Sequence, residues 1–409
     1  MAKVAVLGFG VVGSGVVEVL EKNASSIAQK VGEPVALKYI LDLRDFPDSP
    51  YRDKIVHDFD VILNDPEIDV VCEVIGGVEP AYTFTKKALL AGKSVVTSNK
   101  ELVAKHGAEF LKLAKEKDLN YLFEASVGGG IPIIRPLHQC LAGNEIQSVI
   151  GILNGTTNYI LTQMFQNDVP FDKALAEAQE RGYAERNPSA DIDGIDACRK
   201  IAILGSLIYG RQIPTDEILT EGISQLTLED VSAAEAAGYV IKLLGVYRKL
   251  HNRIYCRVSP CLISKNHPLS HVDDVFNGIL VNGNAIDDVM FYGRGAGKLP
   301  TASAVVADII DCVKHRNVNR SVIWEDGEAG LVGDCDHMEI RAMVRVSSAN
   351  PEEARKAISS VFGVVTFVSV ENGIAFITEA AEEGQIKSEL SSLQADGTIK
   401  VLSWLRIEE

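Results

Sequence analysis

The chain has 409 residues, of which 46% are hydrophobic and 23% are charged, so it has the composition of a globular protein large enough for two or three domains. Its formal net charge is −16 at neutral pH. Nucleic acids and anionic membranes bind basic surfaces, so we expect neither of them as a partner.

The first part of the chain alternates short strand-like runs with helix-like runs, which predicts a parallel sheet with crossover helices. Strands are predicted at 4–7, 35–41, 69–75, 94–97 and 121–124, and helices at 12–28, 82–91 and 101–117. The triple glycine 128–130 then precedes an apolar helical stretch that begins at Ile131. We therefore place a first domain of the α/β class at residues 1–140.

The pattern changes near Glu145, and an α+β domain with its own sheet is expected at residues 141–294. Its predicted elements are a strand at 146–153, several helices up to about 210, and strand-like runs at 253–258 and 275–281. A glycine-rich segment then opens a helix at 301–314, and we expect residues 295–316 to complete the first domain. The second sheet would expose an apolar face in a monomer, so a homodimer or homotetramer is expected.

Residues 317–336 are polar and contain glycine and aspartate, as is typical of a linker. The remaining residues, 337–409, follow the order strand, helix, strand, strand, helix, strand. These elements are predicted at 338–346, 351–362, 364–370, 374–379, 383–393 and 399–407. A turn signal at 371–373 separates the two middle strands. The βαββαβ order predicts a small ferredoxin-like module.

The cellular compartment is indicated by what the sequence lacks. The N-terminus has no secretory pattern, and no apolar run approaches the roughly 20 residues that cross a bilayer. The seven cysteines include no CxxC pair, which argues against a metal cluster or a disulfide framework. We expect a cytoplasmic protein with reduced thiols and no contact with a membrane.

A glycine-rich turn directly after the first strand predicts a dinucleotide site. Gly8, Gly10 and Gly13 have GxGxxG spacing, which suits a tight turn, a close approach of pyrophosphate and close helix–strand packing. The helix that follows offers free N–H groups and a positive dipole end to the phosphates. We assign the intervening residues to the cofactor site as well, namely Phe9, Val11 and Val12. The first domain is therefore predicted to be a Rossmann domain that binds NAD(P).

The choice between NAD and NADP depends on the end of the second strand. Asp42 could accept a hydrogen bond from a ribose 2′-hydroxyl, which favours NAD, whereas Arg44 could hold the 2′-phosphate of NADP. No further positive charge follows in 46–50. The sequence thus leans slightly towards NAD and leaves both cofactors open.

Acidic and basic residues cluster at 185–200. Asp196 and Lys200 are four residues apart on a predicted helix and share a face. Such a pair is often a surface salt bridge. Here the apolar run 201–204 follows at once, so the helix enters a core, and Glu185 and Asp191 lie in a loop with proline and glycine. We therefore interpret this cluster as an acid–base site.

The same segment resembles the homoserine dehydrogenase signature. The matching positions are Ala178, Gly182, Tyr183, Asn187, Pro188, Asp191, Gly194, Asp196 and Lys200. The resemblance extends to the segments TSNKELVA (97–104), EASVGGGIPII (124–134), GILNGTTNYI (151–160) and GRGAGKLPTASAVVAD (293–308). Because the dinucleotide turn lies at the start of the sequence, the chain resembles the monofunctional members of the family rather than those fused to an aspartate kinase.

The resemblance implies NAD(P)-dependent interconversion of L-homoserine and L-aspartate 4-semialdehyde in threonine, methionine and isoleucine biosynthesis. Lys200 matches the lysine that moves the hydroxyl proton, and Lys100 matches a second lysine near substrate and nicotinamide. The residues that match carboxylates holding the substrate or orienting the lysine are Glu185, Asp191 and Asp196. The residues that match the substrate pocket are Thr156 and Tyr183. Further cofactor contacts are expected at Gly76, Gly182 and Gly297.

The resemblance also implies a monovalent cation. Glu124, Val127, Gly129 and Ile131 match positions whose oxygens, largely backbone carbonyls, hold such an ion in the family. Hard oxygen ligands suit a sodium-like ion and do not suit zinc. The alternative is that these residues form a glycine-rich turn with a purely structural role.

The C-terminal module resembles an ACT domain, a regulatory module that binds amino acids at subunit interfaces, and threonine is the expected effector. The chain departs from the usual Asp-x-Pro-Gly turn after the first strand, where it has SSANPEEA at 347–354. A glycine that lets a ligand approach the backbone is therefore missing. The alternative role of this module is packing or dimerisation.

Two other functions are compatible with part of these sequence features. One is a different oxidoreductase with a Rossmann domain, such as an amino-acid or imine reductase, which would not need the whole signature of 178–200. The other is a catalytically silent amino-acid sensor, which has no use for Lys100 and Lys200 together. An NAD(P)-dependent absorbance change with L-homoserine or aspartate semialdehyde distinguishes the three.

Overall fold

The first domain contains a parallel sheet with a crevice for a ligand. The computed structural model describes residues 1–250, 253–322, 324–395 and 397–409. Among these residues, six strands form a parallel sheet in the order β3-β2-β1-β4-β5-β6. They are β1 (Ala2–Leu7), β2 (Val35–Leu41), β3 (Ile55–Val56), β4 (Val70–Glu73), β5 (Ser94–Thr97) and β6 (Tyr121–Leu122). The strand order reverses between β1 and β4, where a doubly wound sheet binds its ligand.

The helices of this domain depart from the prediction in three places: a short helix at Phe59–Leu63 was not predicted, the helix predicted at 12–28 is divided in two, and the apolar stretch that begins at Ile131 forms a π-helical turn at Pro136–Cys140. The α-helices are α1 (Val11–Lys22), α2 (Ala24–Val31), α3 (Phe59–Leu63), α4 (Ala81–Leu90) and α5 (Lys100–Glu116). The prediction of a single helix at 12–28 is wrong, because the helix ends at Asn23, whose φ of −106° and ψ of 13° are not helical. Asparagine and the two serines that follow readily leave a helix for local hydrogen bonds.

The second domain contributes strands and helices to a mixed sheet. Its elements in chain order are β7 (Ile146–Ile152), α6 (Gly155–Asn167), α7 (Phe171–Glu180), α8 (Ser189–Ile192), α9 (Ile195–Tyr209), β8 (Leu219–Thr220), α10 (Leu228–Ala236), β9 (Tyr239–Leu250), β10 (Arg253–Ser264), β11 (Phe276–Gly283), β12 (Asp287–Arg294) and α11 (Lys298–Lys314). Strand β9 was not predicted, because a lysine interrupts its apolar run. Lys242 is buried there and donates to the carbonyl oxygen of Val272 at 2.6 Å, so its charge gave a misleading signal.

Helix α11 packs against α1 of the first domain. A Cβ atom on Gly15 would lie 2.7 Å from the carbonyl oxygen of Lys298, so α1 needs a glycine at this crossing. Val16 from α1 and Ala302 and Val305 from α11 belong to one buried cluster with strand β1. The residues after β12 thus return to the sheet that carries the glycine turn.

The C-terminal module continues the sheet of the second domain. Its elements are β13 (Glu339–Ser348), α12 (Pro351–Phe362), β14 (Val365–Val368), β15 (Ile374–Thr378), β16 (Ala381–Glu382), α13 (Glu383–Leu393) and β17 (Ile399–Glu408). The order β17-β13-β15-β14 is that of a ferredoxin-like sheet. Strand β17 also pairs in parallel with β10, so the described chain contains a second sheet of eleven strands that spans both units.

The segment 317–336 between α11 and β13 lies against both preceding domains, and position 323 is outside the described residues. The hydroxyl of Ser321 accepts the N–H of Tyr121 at 2.8 Å. Trp324 is buried, and its indole occupies the space where Gly107 would carry a side chain. The segment predicted as a linker is therefore anchored by specific contacts.

Helices long and apolar enough to cross a bilayer do not occur in the part of the chain that the structure describes. Each cysteine there is a free thiol, and Cys140 is the exposed one.

Candidate active site

The glycine turn leaves room for a pyrophosphate on the side of Gly10 and is closed by backbone atoms on the side of Gly13. Gly8 has a φ of +95°, which favours glycine. A Cβ atom on Gly13 would lie 1.9 Å from the carbonyl oxygen of Gly8, so a side chain there is incompatible with the turn. A Cβ atom on Gly10 would have no neighbour within 4 Å, so this face is open. Helix α1 starts here without a side-chain cap, and its first N–H groups are free for a phosphate.

Asp42 and Arg44 form a pair beside this turn. The Asp42 carboxylate accepts the N–H of Phe9 at 2.8 Å and two bonds from the Arg44 guanidinium, at 2.9 and 3.0 Å. The hydrogen bond from Arg44 holds the pKa of Asp42 below its ordinary value, although partial burial opposes this. The Arg44 side chain is 64% exposed and lies over the ring of Phe46. Asp42 is therefore ionised, and each of its oxygens already has a partner.

The acid–base cluster lies where the two domains meet. Asp196, in the first turn of α9, forms ion pairs with Lys100, the first residue of α5, and with Lys200, one turn further along α9 at 2.7 Å. Lys200 also donates to the carbonyl oxygen of Leu153 at 2.7 Å. The Lys200 side chain is 9% exposed and that of Lys100 is 41% exposed, so Lys100 faces the cleft more openly.

Asn154, which was not among the predicted site residues, joins the two acidic residues of the cluster. Its amide nitrogen donates to Asp191 at 2.7 Å and to Asp196 at 2.9 Å, and its oxygen caps α6 by accepting the N–H of Thr157. An asparagine directly before a helix is a cap signal that could have been recognised. Its second role needs residues 37 and 42 positions away and cannot be derived from local sequence.

Burial and charge shift the pKa values of this cluster in different directions. Burial raises the pKa of Asp196, but Lys200 and Lys100 outweigh burial and hold that pKa below its ordinary value. Burial lowers the pKa of Lys200, and Asp196 offsets this in part. Burial raises the pKa of Asp191. Asp196 is therefore a fixed anion, while Lys200 can exchange a proton closer to neutral pH than an exposed lysine can.

Of the other predicted substrate residues, Thr156 lies in the first turn of α6, and Tyr183 and Glu185 lie on the loop after α7. The Thr156 hydroxyl donates to the carbonyl oxygen of Tyr183 at 2.7 Å, and the exposed Tyr183 ring lies edge-on to Tyr159. Glu185 is exposed, and its carboxylate forms no hydrogen bond or ion pair with any residue that the structure describes. The structure thus joins Thr156 to Tyr183 and leaves Glu185 apart from the lysines.

The remaining predicted cofactor contacts are glycines in three different loops. Gly76, with a φ of +86°, follows β4 at the carboxyl edge of the parallel sheet. Gly297, with a φ of +122°, precedes α11. Gly182, with a φ of +74°, belongs to the loop that carries Tyr183 and not to the glycine turn. Its expected contact with the cofactor stays a prediction.

Glu73 is a second residue that sequence analysis missed. Its fully buried carboxylate, at the end of β4, accepts the Thr97 hydroxyl at 2.6 Å and the N–H of Ile75 at 2.8 Å. Thr97 in turn accepts the N–H of Asn99, which caps α5 directly before Lys100. Burial raises the pKa of Glu73, and these hydrogen bonds oppose the rise. Glu73 thus connects the turn after β4 with the turn that carries Lys100.

Two family models match the chain. The model for the NAD-binding domain of homoserine dehydrogenase matches residues 8–124, and the homoserine dehydrogenase model matches residues 132–310. The homoserine dehydrogenase of Bacillus subtilis is 42% identical over 382 residues, which are 91% of this chain and 86% of the relative.

Solved structures show the same similarity. A homoserine dehydrogenase from Thiobacillus denitrificans superposes with a TM-score of 0.90 at 35% identity, over 100% of this chain and 98% of that chain. A hyperthermophilic archaeal homoserine dehydrogenase mutant in complex with NADPH superposes with a TM-score of 0.65 at 30% identity, over 76% of this chain and 97% of that chain.

The Glu73 connection predicts different effects for two substitutions of Thr97. Thr97→Val keeps the shape but removes the hydroxyl, so Glu73 and the N–H of Asn99 each lose a buried partner, at a cost of about 1–3 kcal/mol in unfolding free energy. Turnover should fall as well, because the turn before Lys100 loses its support. Thr97→Ser keeps the hydroxyl and should retain most of both quantities. Urea unfolding and steady-state kinetics measure them, and a valine variant equal to the serine variant would contradict the prediction.

Proposed function

Since this chain belongs to the homoserine dehydrogenase family, whose activity is NAD(P)-dependent interconversion of L-homoserine and L-aspartate 4-semialdehyde, we propose that Lys200 is the residue that exchanges the substrate proton. The family assignment rejects both the imine reductase and the silent sensor. The observation that carries the proposal is the buried contact of Lys200 with Asp196 and the carbonyl oxygen of Leu153.

The proton inventory of the reaction fits this cluster. Oxidation of the alcohol removes a hydride from carbon and a proton from oxygen. When bound, the nicotinamide accepts the hydride, so the protein must take the proton. A neutral Lys200 amine can do so, and the same residue as an ammonium returns the proton in the reduction. Asp196 stays ionised and holds the amine in place.

The two ends of the zwitterionic substrate need opposite partners. Its ammonium needs an acceptor, for which Asp191 and Glu185 are the proposed carboxylates, and its carboxylate needs a donor. Lys100 is the proposed second lysine between substrate and nicotinamide, and its more exposed position supports this role. Thr156 and Tyr183 are proposed to line the pocket.

Lys200→Met should reduce turnover on the order of 10²–10⁴-fold, the usual contribution of a general acid–base residue. Lys242→Met is a matched control, because Lys242 is also a buried lysine bonded to a carbonyl oxygen and an aspartate, on strand β9. Both variants should lose stability, but Lys242→Met should retain turnover per folded molecule. With the natural chain, homoserine oxidation should rise with pH as Lys200 loses its proton, and this rise should vanish in Lys200→Met. Near-normal turnover of the latter would reject the assignment.

For the cofactor, we propose a modest preference for NAD over NADP. The support is the Asp42–Arg44 pair, because a guanidinium held by two bonds to Asp42 is less available to a 2′-phosphate. Comparing kcat/KM for the two cofactors tests this preference. Arg44→Met should change their ratio by less than about fivefold, as expected for an exposed ion pair. A natural enzyme that strongly prefers NADP, and loses that preference in Arg44→Met, would identify Arg44 as the phosphate ligand instead.

We also propose a monovalent cation at Glu124, Val127, Gly129 and Ile131. In the described chain, the carbonyl oxygens of the last three residues accept no hydrogen bond, so they are available to an ion. The Glu124 carboxylate is occupied by the N–H groups of 133–135, which makes its own carbonyl oxygen the more suitable ligand. Equal activity in sodium chloride and choline chloride would argue against the ion.

We also propose that the C-terminal module binds threonine and that the chain assembles into a homodimer or homotetramer. The ferredoxin-like strand order supports the relation to ACT domains. Light scattering measures the oligomer size. A thermal shift and an activity change with L-threonine measure the effector, and the absence of both would reject it.

A further inference from the structure

The C-terminal module places a buried arginine beside the second domain, which we call the catalytic domain because it carries Asp196 and Lys200. Arg406 on β17 is 2% exposed, in the part of β17 that pairs with β10. Its guanidinium binds Glu383 of its own module at 2.6 and 2.8 Å and Glu221 of the catalytic domain at 2.5 and 3.1 Å. Burial alone would lower the pKa of Arg406, but the two carboxylates outweigh burial and raise it. The arginine is therefore a fixed cation between the two units.

Glu221 begins the segment that supports the aspartate loop, our name for residues 191–196, which run from the end of α8 into the first turn of α9. The N–H of Ile223 donates to the carbonyl oxygen of Ile192 at 2.9 Å. A Cβ atom on Gly222 would lie 2.3 Å from the same oxygen, and one on Gly194 would lie 3.4 Å from the carbonyl oxygen of Glu221. Segment 221–223 is thus packed tightly against the aspartate loop, so a shift in one must move the other.

We propose that Arg406 is a positioning residue for the substrate site, acting through Glu221 on the aspartate loop. This proposal rests on the proposed role of Asp191 and Asp196 in holding the substrate and orienting Lys200. The carboxylate of Glu221 is partly exposed, so without Arg406 it turns towards water. Segment 221–223 then keeps the hydrogen bond from the N–H of Glu221 to the carbonyl oxygen of Val258 but loses its side-chain anchor, so its position against the aspartate loop is less fixed. The C-terminal module in this way contributes to substrate binding within its own chain, with or without an effector.

The test uses the full chain and a matched ion pair. Arg406→Met should lower kcat/KM for L-homoserine about tenfold, as expected when a reacting group is slightly misplaced. The effect should fall mainly on the homoserine KM and leave the cofactor KM within about twofold, because the glycine turn lies in the other domain. Arg345→Met is the control. Arg345 is also a buried arginine of the module and pairs with Asp230 of the catalytic domain, but on α10 and not on the aspartate loop.

Two further variants test the same contact if Arg406→Met folds poorly. Glu221→Gln keeps the arginine and its bond to Glu383, and it should reproduce the rise in homoserine KM. Arg406→Lys keeps the charge but not the two-pronged contact, and it should give an intermediate KM. An unchanged homoserine KM in Glu221→Gln, or the same rise in Arg345→Met, would overturn the proposal. The outcome is separate from the test of Lys200, because normal turnover in Lys200→Met would reject the proton-transfer assignment whatever Arg406 does.

Discussion

The ion pairs of Asp196 with two lysines are the contact on which the active site depends. One lysine comes from the dinucleotide-binding domain, as Lys100, and the other from the same helix as Asp196, as Lys200. The anion is therefore shared between the two domains, at the site proposed for hydride transfer. Without it, two like charges would face each other across a cleft, and burial would leave Lys200 without a compensating partner.

This arrangement accounts for the opposite demands on Lys200. A lysine that exchanges protons needs a pKa nearer to neutrality, which burial provides, but a buried amine also needs a fixed orientation. Asp196 and the carbonyl oxygen of Leu153 provide the orientation, and Asn154 fixes Asp196 in turn. In the proposed mechanism, the proton moves while the heavy atoms that hold Lys200 stay in place.

The sequence predicted features that depend on local spacing. The glycine turn, most helices, the pairing of Asp196 with Lys200 and the ferredoxin-like order of the C-terminal module follow from periodicity or from short motifs. Features that depend on distant partners could not be derived in this way. In the sequence, Glu73 is only one more residue of a strand, and its role depends on Thr97, which lies beside it in the fold. Strand β9 was not predicted because the charge of Lys242 interrupts its apolar run, and the partner of Lys242 lies 30 residues away. Spacing alone left Asp196 and Lys200 as an acid–base pair, and the resemblance to a family supplied a role for Lys200 and introduced Lys100.

The continuous sheet has a consequence for how such a chain can be shortened in evolution or in the laboratory. Strand β10 is covered on one edge partly by β8 and partly by β17. A chain cut before the module would leave unpaired N–H and C=O groups along residues 261–263, a template on which strands of other molecules can add. It would also leave Arg257 without Glu408, its buried counter-ion. The module therefore covers this edge against strand addition by other molecules, and a chain that loses the module needs a new cover for residues 261–263.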